Sequence, residues 1–481
     1  MIVRKIKPEE LKRTKELFAT AFEFTYDNKD SAMKVYEDTV SSPKSREDDT
    51  PLNKYAAFED DDKTMMSCLS VNSYEMNFDG NLTKMAGIGG VSSLPQYRRR
   101  GGIRGCFEKM LADLYEEKVD FSYLYPFSSV YYRKFGFEMG CFGKQCNYLL
   151  SMIPSFDLKD GYFVLVDESN RKQVLSDVKQ LYGAWEVKYN GMIHNESYEY
   201  AFVTEANPYK NQEFTYLYYR GNRKPAAYFT IHKEMRDEGQ IVVCTRLVYA
   251  EKEGLQGFLS LVKTMASDHV RVLFTIPACE TMEYLVKEWS LGAFAENQMP
   301  LGMVRVVNVE RVLKKAAYRG IGQLILGIKD SVLPQNNGSY WIRFTNGTLT
   351  AIERMPQDQV PQITMDIADF AHGIFRGFAE GEISDYDSVE ILDQKVIQNG
   401  TLGQIFYPKK NFIMEYFKKK YFYMEKGYLF EKRCPFFVPG YRYADKGQGG
   451  KKHEKETLWE NAASIRGSLY AYDGVRNKGK Q

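Results

Sequence analysis

The chain has 481 residues, of which 44% are apolar, 27% charged and 14% aromatic, with a net charge of +2 at pH 7. This is ordinary globular composition, long enough for about three domains with real cores; it excludes disordered or fibrous protein, and no apolar run is long enough to span a membrane. Seven scattered cysteines, odd in number and without a Cys-x-x-Cys pair, exclude a disulfide framework and a zinc site, and they point to a reducing cytoplasm.

In chain order, Ile2 to Ile6 reads as a strand rather than a signal peptide. Pro8-Glu9-Glu10 opens a helix with Leu17, Phe18, Ala21 and Phe22 as its apolar stripe. Lys54 to Phe58 and Thr64 to Met76 pair across the acidic turn Asp60-Asp61-Asp62, and Asp79-Gly80 turns the chain into a strand carrying Gly89 to Ser93.

The next stretch is the most informative. Arg98-Arg99-Arg100-Gly101-Gly102-Ile103-Arg104 follows Pro95, and Ile103, Phe107, Met110, Leu111 and Leu114 repeat at helical spacing. Glycines at a helix start let backbone N–H groups approach an anion, the helix dipole favours negative charge there, and arginines grip phosphate oxygens in bidentate fashion. The segment suits a pyrophosphate. Neither Gly-x-x-x-x-Gly-Lys-Ser/Thr nor Gly-x-Gly-x-x-Gly is present, which excludes the two commonest phosphate loops. Nucleic acid is disfavoured because no aromatic residues interleave the arginines for base stacking. Asp120 to Tyr125 then reads as a parallel strand, followed by a short helix and Tyr131-Tyr132-Arg133-Lys134-Phe135-Gly136-Phe137.

Strand, Arg-x-x-Gly, helix, strand and Tyr-x-x-Phe-Gly-Phe in that order resembles the GNAT acetyltransferases. Ile103 stands where that family usually has Gly or Ala. The resemblance implies that Val91, Ser92 and Ser93 sit at a bulge and pair with the pantetheine arm of acetyl-CoA. It also implies that Arg99, Arg100, Gly101, Gly102, Ile103 and Arg104 hold the pyrophosphate, and that Phe127 and Ser128 add a further cofactor contact. Tyr132 is the implied general acid for the departing thiolate, with Tyr131 as its rival. A phenol near ~10 suits a thiol near ~8.5.

Residues 151 to 292 repeat the same grammar, with strands at Gln240–Tyr249 and Val270–Ile276 and helices at Gly254–Ala266 and Glu280–Trp289. Glu251-Lys252-Glu253-Gly254 stands where phosphates would sit, so this half reads as a second GNAT-like domain without a cofactor site. From 293 to 417 the pattern changes. Alternation at Leu324, Leu326 and Ile328, turns at Asn337-Gly338 and Asn346-Gly347, and Ile363–Ile367 leading into a helix Phe370–Phe378 resemble the sterol-carrier-protein fold.

The expected class is therefore α+β: a catalytic domain over 1–150, a second GNAT-like domain over 151–292, a sterol-carrier-like domain over 293–417 and a basic extension over 418–481. Two GNAT-like domains before a sterol-carrier-like domain resemble the Eis-type (enhanced intracellular survival) N-acetyltransferases. That likeness implies direct transfer from acetyl-CoA, as co-substrate and without a metal, to a primary amine of an aminoglycoside or polyamine. It also implies a homo-oligomer, a hexamer by the resemblance, and no membrane or nucleic-acid partner. In that family the terminal carboxylate is the base. Asn411 to Phe417 resembles that ending, but here 64 residues follow, leaving Glu415, a water chain or the neutral fraction of the amine as alternatives. The extension carries 15 basic against 7 acidic residues, a surplus of eight, which leaves the rest of the chain at −6.

By the same resemblance the acceptor pocket draws on the first helix and the loop after it, which makes Phe22, Glu23 and Phe24 the candidate acceptor residues; Glu23 could bind a cationic amine, but a solvated helix end is its stronger reading. Protein lysine acetylation and non-catalytic binding of acyl-CoA or lipid are the competing readings.

Overall fold

The computed structural model describes residues 1–22, 53–198, 200–286, 289–290 and 292–414. Six strands open it: β1 (Ile2–Lys5), β2 (Lys54–Phe58), β3 (Met65–Phe78), β4 (Asn81–Ser93), β5 (Phe121–Leu124) and β6 (Glu138–Met139). Among them lie α1 (Leu11–Phe22), α2 (Gly102–Glu116) and α3 (Ser129–Arg133). The β3–β4 hairpin turns at Asp79 and Gly80, with φ of +52° and +80°, the double left-handed geometry that Asp-Gly favours. Along α2 the residues spaced for one face (Ile103, Phe107, Met110, Leu111 and Leu114) are the buried ones.

A second sheet holds β7 (Phe142–Leu149), β8 (Tyr162–Leu165), β9 (Phe214–Tyr219), β10 (Pro225–Arg236), β11 (Gly239–Tyr249), β12 (Arg271–Pro277) and β13 (Phe294–Pro300), in the order β13-β7-β12-β11-β10-β9-β8. Helices α4 (Arg171–Glu186) and α5 (Lys252–Lys263) pack on it. The chain then returns to the first sheet as β14 (Met303–Val306), giving β1-β2-β3-β4-β5-β14-β6. The last sheet is β17-β16-β15-β18-β19, from β15 (Ile321–Lys329), β16 (Gly338–Thr345), β17 (Thr348–Arg354), β18 (Ile363–Asp366) and β19 (Glu390–Ile391). With it come α6 (Val309–Lys315) and α7 (Ile367–Phe375). Mixed sheets flanked by helices make this an α+β chain.

The seams between sheets differ from the expected cuts at 150 and 292. Phe142–Leu149, read with the first domain, is an inner strand of the second sheet, between β13 and β12. Met303–Val306, read with the third, fills the gap between β5 and β6: Met303 faces Leu124 on one side and Met139 on the other. An antiparallel strand satisfies the ladder wherever it comes from in the sequence, and all four of its residues are buried. The helix expected over Glu280–Trp289 is also absent from the described residues 280–286. The i, i+3, i+4 spacing of Met282, Leu285 and Val286 buries three side chains from isolated turns instead, and Glu280 is tied to Lys188 and Tyr189 at 2.7 and 2.6 Å.

The third domain is packed against the first. Phe375 of α7 stacks on Phe78 at 6.1 Å and meets Phe121 edge-on at 5.6 Å. Asp79, buried at the tip of the first hairpin, accepts from Asn190 and from the Ala317 N–H at 2.8 Å each and pairs with buried Lys409. A buried carboxylate needs such partners, and these come from three different parts of the chain.

Candidate active site

β4 and β5 are paired in parallel only over Met85–Ile88 and Phe121–Leu124. Beyond Ile88, β4 continues to Ser93 on β3, and among the described residues no strand pairs with its other edge, which faces a wedge between the strands. An extended ligand can add there as a strand. The opening begins at a bulge: Ser70 faces Gly89 and Cys68 faces Ser92, leaving Leu69 opposite both Gly90 and Val91. Gly90 has φ of +61°, and a Cβ there would lie 2.8 Å from the Phe18 ring of α1, so both backbone and space demand glycine. Ser93 Oγ and Ser67 Oγ are 2.6 Å apart and tie the end of β4 to β3.

The arginine–glycine run forms a concave turn. Arg99 has φ of +65° and Gly101 +83°, on either side of Arg100, and Gly101 is the N-cap of α2. Left-handed residues in such a turn direct successive N–H groups inward, which makes an anion nest. Gly102 lets the helix approach the sheet: a Cβ there would be 2.6 Å from Ser67 Oγ. Arg98, Arg99, Arg100, Gly101 and Arg104 are exposed, whereas the Ile103 side chain is buried in the core. Arg100 is engaged by Glu59 at 2.8 Å and lies over the Tyr97 ring.

Tyr132 sits on α3, a helix capped by Ser128, whose Oγ accepts from the Tyr131 N–H at 3.4 Å. Its ring is buried edge-on against Phe107 at 5.9 Å, Phe127 at 5.3 Å and Tyr131 at 5.3 Å. Burial pushes the Tyr132 phenol well above its ordinary range, and the neighbouring Tyr131 adds to the rise. Arg104 is close enough to Tyr131 to act on its phenol, opposing the rise that burial causes there. Val91, Ile103 and Tyr132 belong to one apolar cluster. Gly102 packs on Ser67, which binds Ser93, and Arg104 acts on the Tyr131 phenol, so the strand end, the nest and the α3 tyrosines are neighbours. Phe127 is exposed beside them.

Phe22 ends α1 half-exposed, packed on Phe18; Glu23, Phe24 and Glu415 lie outside the described residues. Burial pushes the Cys68 thiol up to about 12 and the Cys106 thiol higher still, so neither is a thiolate nucleophile. Among the described residues no group of three or more His, Cys, Asp or Glu side chains could hold a metal ion. In the second sheet Glu251 and Glu253 flank the start of α5 and both bind Arg220, at 2.7 and 3.1 Å. A Cβ on Gly254 would lie 2.1 Å from the Ala226 carbonyl, so that glycine serves helix–sheet packing.

Sequence reasoning missed Glu59, and it missed Arg305 of β14, which reaches the turn after Tyr132. Arg305 left one signal: a charge in the middle of the apolar run Met303-Val304-Arg305-Val306-Val307.

The acetyltransferase (GNAT) domain family matches residues 2–140 and the sterol carrier protein domain family matches residues 309–414. No curated protein matches the chain. Among solved structures, a GCN5-related N-acetyltransferase from Anabaena variabilis aligns at 18% identity and a TM-score of 0.70, covering 86% of this chain and 99% of its own. A GCN5-related N-acetyltransferase from Kribbella flavida aligns at 16% identity and a TM-score of 0.67, over 86% and 98% of the two chains. Eis1 from Mycobacterium abscessus aligns at 14% identity and a TM-score of 0.66, over 86% and 100%. At such identities the likeness is one of fold, and the chemistry rests on the amino-terminal match. The chain therefore carries an acetyltransferase (GNAT) domain over residues 2–140 and a sterol carrier protein domain over residues 309–414, in an overall fold similar to that of Eis1.

Proposed function

We propose that the chain transfers an acetyl group from acetyl-CoA directly to a primary amine of an aminoglycoside-like or polyamine acceptor. The observation that carries this reading is the junction of the β4–β5 wedge with the arginine–glycine nest, with the α3 tyrosines as neighbours. Acetyl-CoA supplies the activated acyl group. In this reading the free edge of β4 at Val91, Ser92 and Ser93 aligns the thioester, and backbone N–H groups polarise its carbonyl. The N–H groups of Gly101, Gly102 and Ile103 hold the pyrophosphate with Arg99, Arg100 and Arg104, while Phe127 and Ser128 flank the arm. The acceptor nitrogen forms the amide bond as the carbon–sulfur bond breaks; the nitrogen sheds a proton and the thiolate takes one from the Tyr132 hydroxyl.

Direct transfer is favoured over a cysteine-linked intermediate by the buried, protonated thiols of Cys68 and Cys106. The second sheet, where Glu251 and Glu253 at the start of α5 would repel a phosphate, is assigned no cofactor. Phe22 to Phe24 are assigned to the acceptor side, and a cytoplasmic hexamer is the proposed form. Thiol release from acetyl-CoA over a panel of kanamycin, spermine and lysine peptides tests the function. Turnover of the small amines supports it, turnover of peptides alone redirects it to protein lysines, and no turnover with tight CoA binding contradicts it.

A further inference from the structure

Arg305 and Asp330 take no part in the chemistry described so far, yet both side chains are wholly buried. Arg305 Nη2 donates to both Asp330 oxygens, at 3.0 and 2.7 Å, and Nη1 donates to the Phe135 carbonyl at 2.5 Å, 170 residues away in sequence. Asp330 also accepts from the N–H groups of Val332 and Leu333 and from the Asn336 amide, at 3.0, 2.9 and 3.0 Å. Burial alone would raise its carboxyl, but Arg305 and these donors outweigh burial and hold it below the ordinary range. Apolar residues of equal volume often serve stability as well as a buried ion pair does. The distinctive feature here is its aim at one backbone carbonyl.

That carbonyl belongs to the turn that ends α3. A five-residue helix does not hold its own shape in water; its last carbonyls, those of Tyr132 and Arg133, accept from the Phe135 and Gly136 N–H groups of that turn at 2.9 Å each, and the Phe135 carbonyl in turn is held by Arg305. Gly136 follows with φ of +77°, and a Cβ there would be 1.7 Å from Arg305 Nη1, so this glycine admits the guanidinium. Leu333, from the same loop as Asp330, is buried in one cluster with Tyr132 and Phe135. The guanidinium holds the turn that follows the short helix, and Leu333 packs in the cluster that contains Tyr132.

We propose that Arg305 and Asp330 are positioning residues for the Tyr132 hydroxyl, so that Asp330 of the sterol carrier domain, acting through Arg305 of the first sheet, helps to hold the proton donor of the acetyltransferase domain. The proposal rests on Tyr132 being the general acid.

The test uses the full chain with Arg305→Met and Asp330→Leu together, which removes both charges and the carbonyl bond at similar volume. CoA affinity by calorimetry is expected to stay within about threefold. The kcat for acetyl transfer to kanamycin, or to spermine if kanamycin is not turned over, is expected to fall about tenfold to a hundredfold with little change in KM for acetyl-CoA. Adding Tyr132→Phe is expected to bring the total loss only to about that of Tyr132→Phe alone, not to the product of the two losses, because both changes act through one group. If the pair does not fold, Arg305→Lys takes its place: it keeps a charge but cannot span carboxylate and carbonyl together, and the same loss of kcat is expected. Full kcat in a folded variant, or a loss that adds fully to that of Tyr132→Phe, overturns the proposal while the Tyr132 reading stands. Full kcat for Tyr132→Phe alone overturns both, and failure of both Arg305 variants to fold assigns the pair to stability and overturns the proposal.

Discussion

The Glu59 carboxylate lies 2.8 Å from the Arg100 guanidinium, at the mouth of the nest formed by Arg99 and Gly101. In this state Arg100 is neutralised by a carboxylate that a pyrophosphate would have to displace. Half-exposed pairs of this kind are worth at most about 1 kcal/mol. Glu59→Gln is therefore expected to tighten CoA binding about twofold to fivefold, and Arg100→Ala to weaken it. Calorimetric titration at low salt checks both signs.

The two adjacent glycines fail in different ways. At Gly101 an added Cβ meets nothing within 4 Å, but φ of +83° makes any L side chain strained by about 1 kcal/mol, and relief of that strain distorts the nest. Gly101→Ala is expected to lose CoA affinity with only a small fall in Tm. At Gly102 the Cβ would collide with Ser67 Oγ at 2.6 Å and crowd Ala57 at 3.3 Å, so Gly102→Ala is expected to cost about 1–3 kcal/mol of stability. Ser67→Ala in the same chain should restore part of it. Thermal melts of the single and double variants decide.

Removing the Tyr132 hydroxyl leaves its ring on Phe107 and Phe127, so Tyr132→Phe should fold and bind CoA normally while kcat falls on the order of a hundredfold. Tyr131→Phe is expected to lose a few-fold at most. A general acid must start protonated, and burial raises the Tyr132 phenol. Loss of activity through its ionisation is therefore expected only above the ordinary phenol range of about pH 10. A pH–rate profile with an alkaline limb removed by Tyr132→Phe at lower pH would contradict that assignment.

How much of this was legible follows from chain distance. The nest was readable because arginines, glycines and the apolar stripe of α2 are consecutive, and the β3–β4 hairpin because Asp79-Gly80 encodes its own turn. The place of β14 was not readable: nothing local to Met303–Val306 tells that β5 and β6 leave a gap of its width. The same holds for Arg305, whose carbonyl partner is 170 residues away, and for Glu59, an unremarkable strand-end carboxylate until the fold brings Arg100 to it. Residues 280–286 misled because apolar spacing reports burial on one side, which isolated turns can also deliver.

His372 of α7 is buried, stacked on Phe378 at 5.0 Å with the Tyr386 hydroxyl at 3.2 Å. Burial lowers it to about 4, and Arg376 acts in the same direction. A base lowered by folding adds stability that is fully present above its unfolded value of about 6.5 and is lost as pH falls through the folded value. The wild-type chain is expected to lose about 3 kcal/mol from this group between pH 6.5 and 4. His372→Leu should show a shallower fall over that window, by chemical denaturation at each pH. Equal slopes would mean that His372 is not held neutral.

The central claim is that a CoA thioester docks along the free edge of β4 with its pyrophosphate in the nest before α2. Titrating CoA into the folded full chain in a calorimeter tests it most directly. One site per chain, weakened at least about tenfold by Arg99→Ala with Arg104→Ala and by added salt, is the predicted result. An absence of binding heat at every temperature tried, or binding indifferent to both arginines, would contradict it.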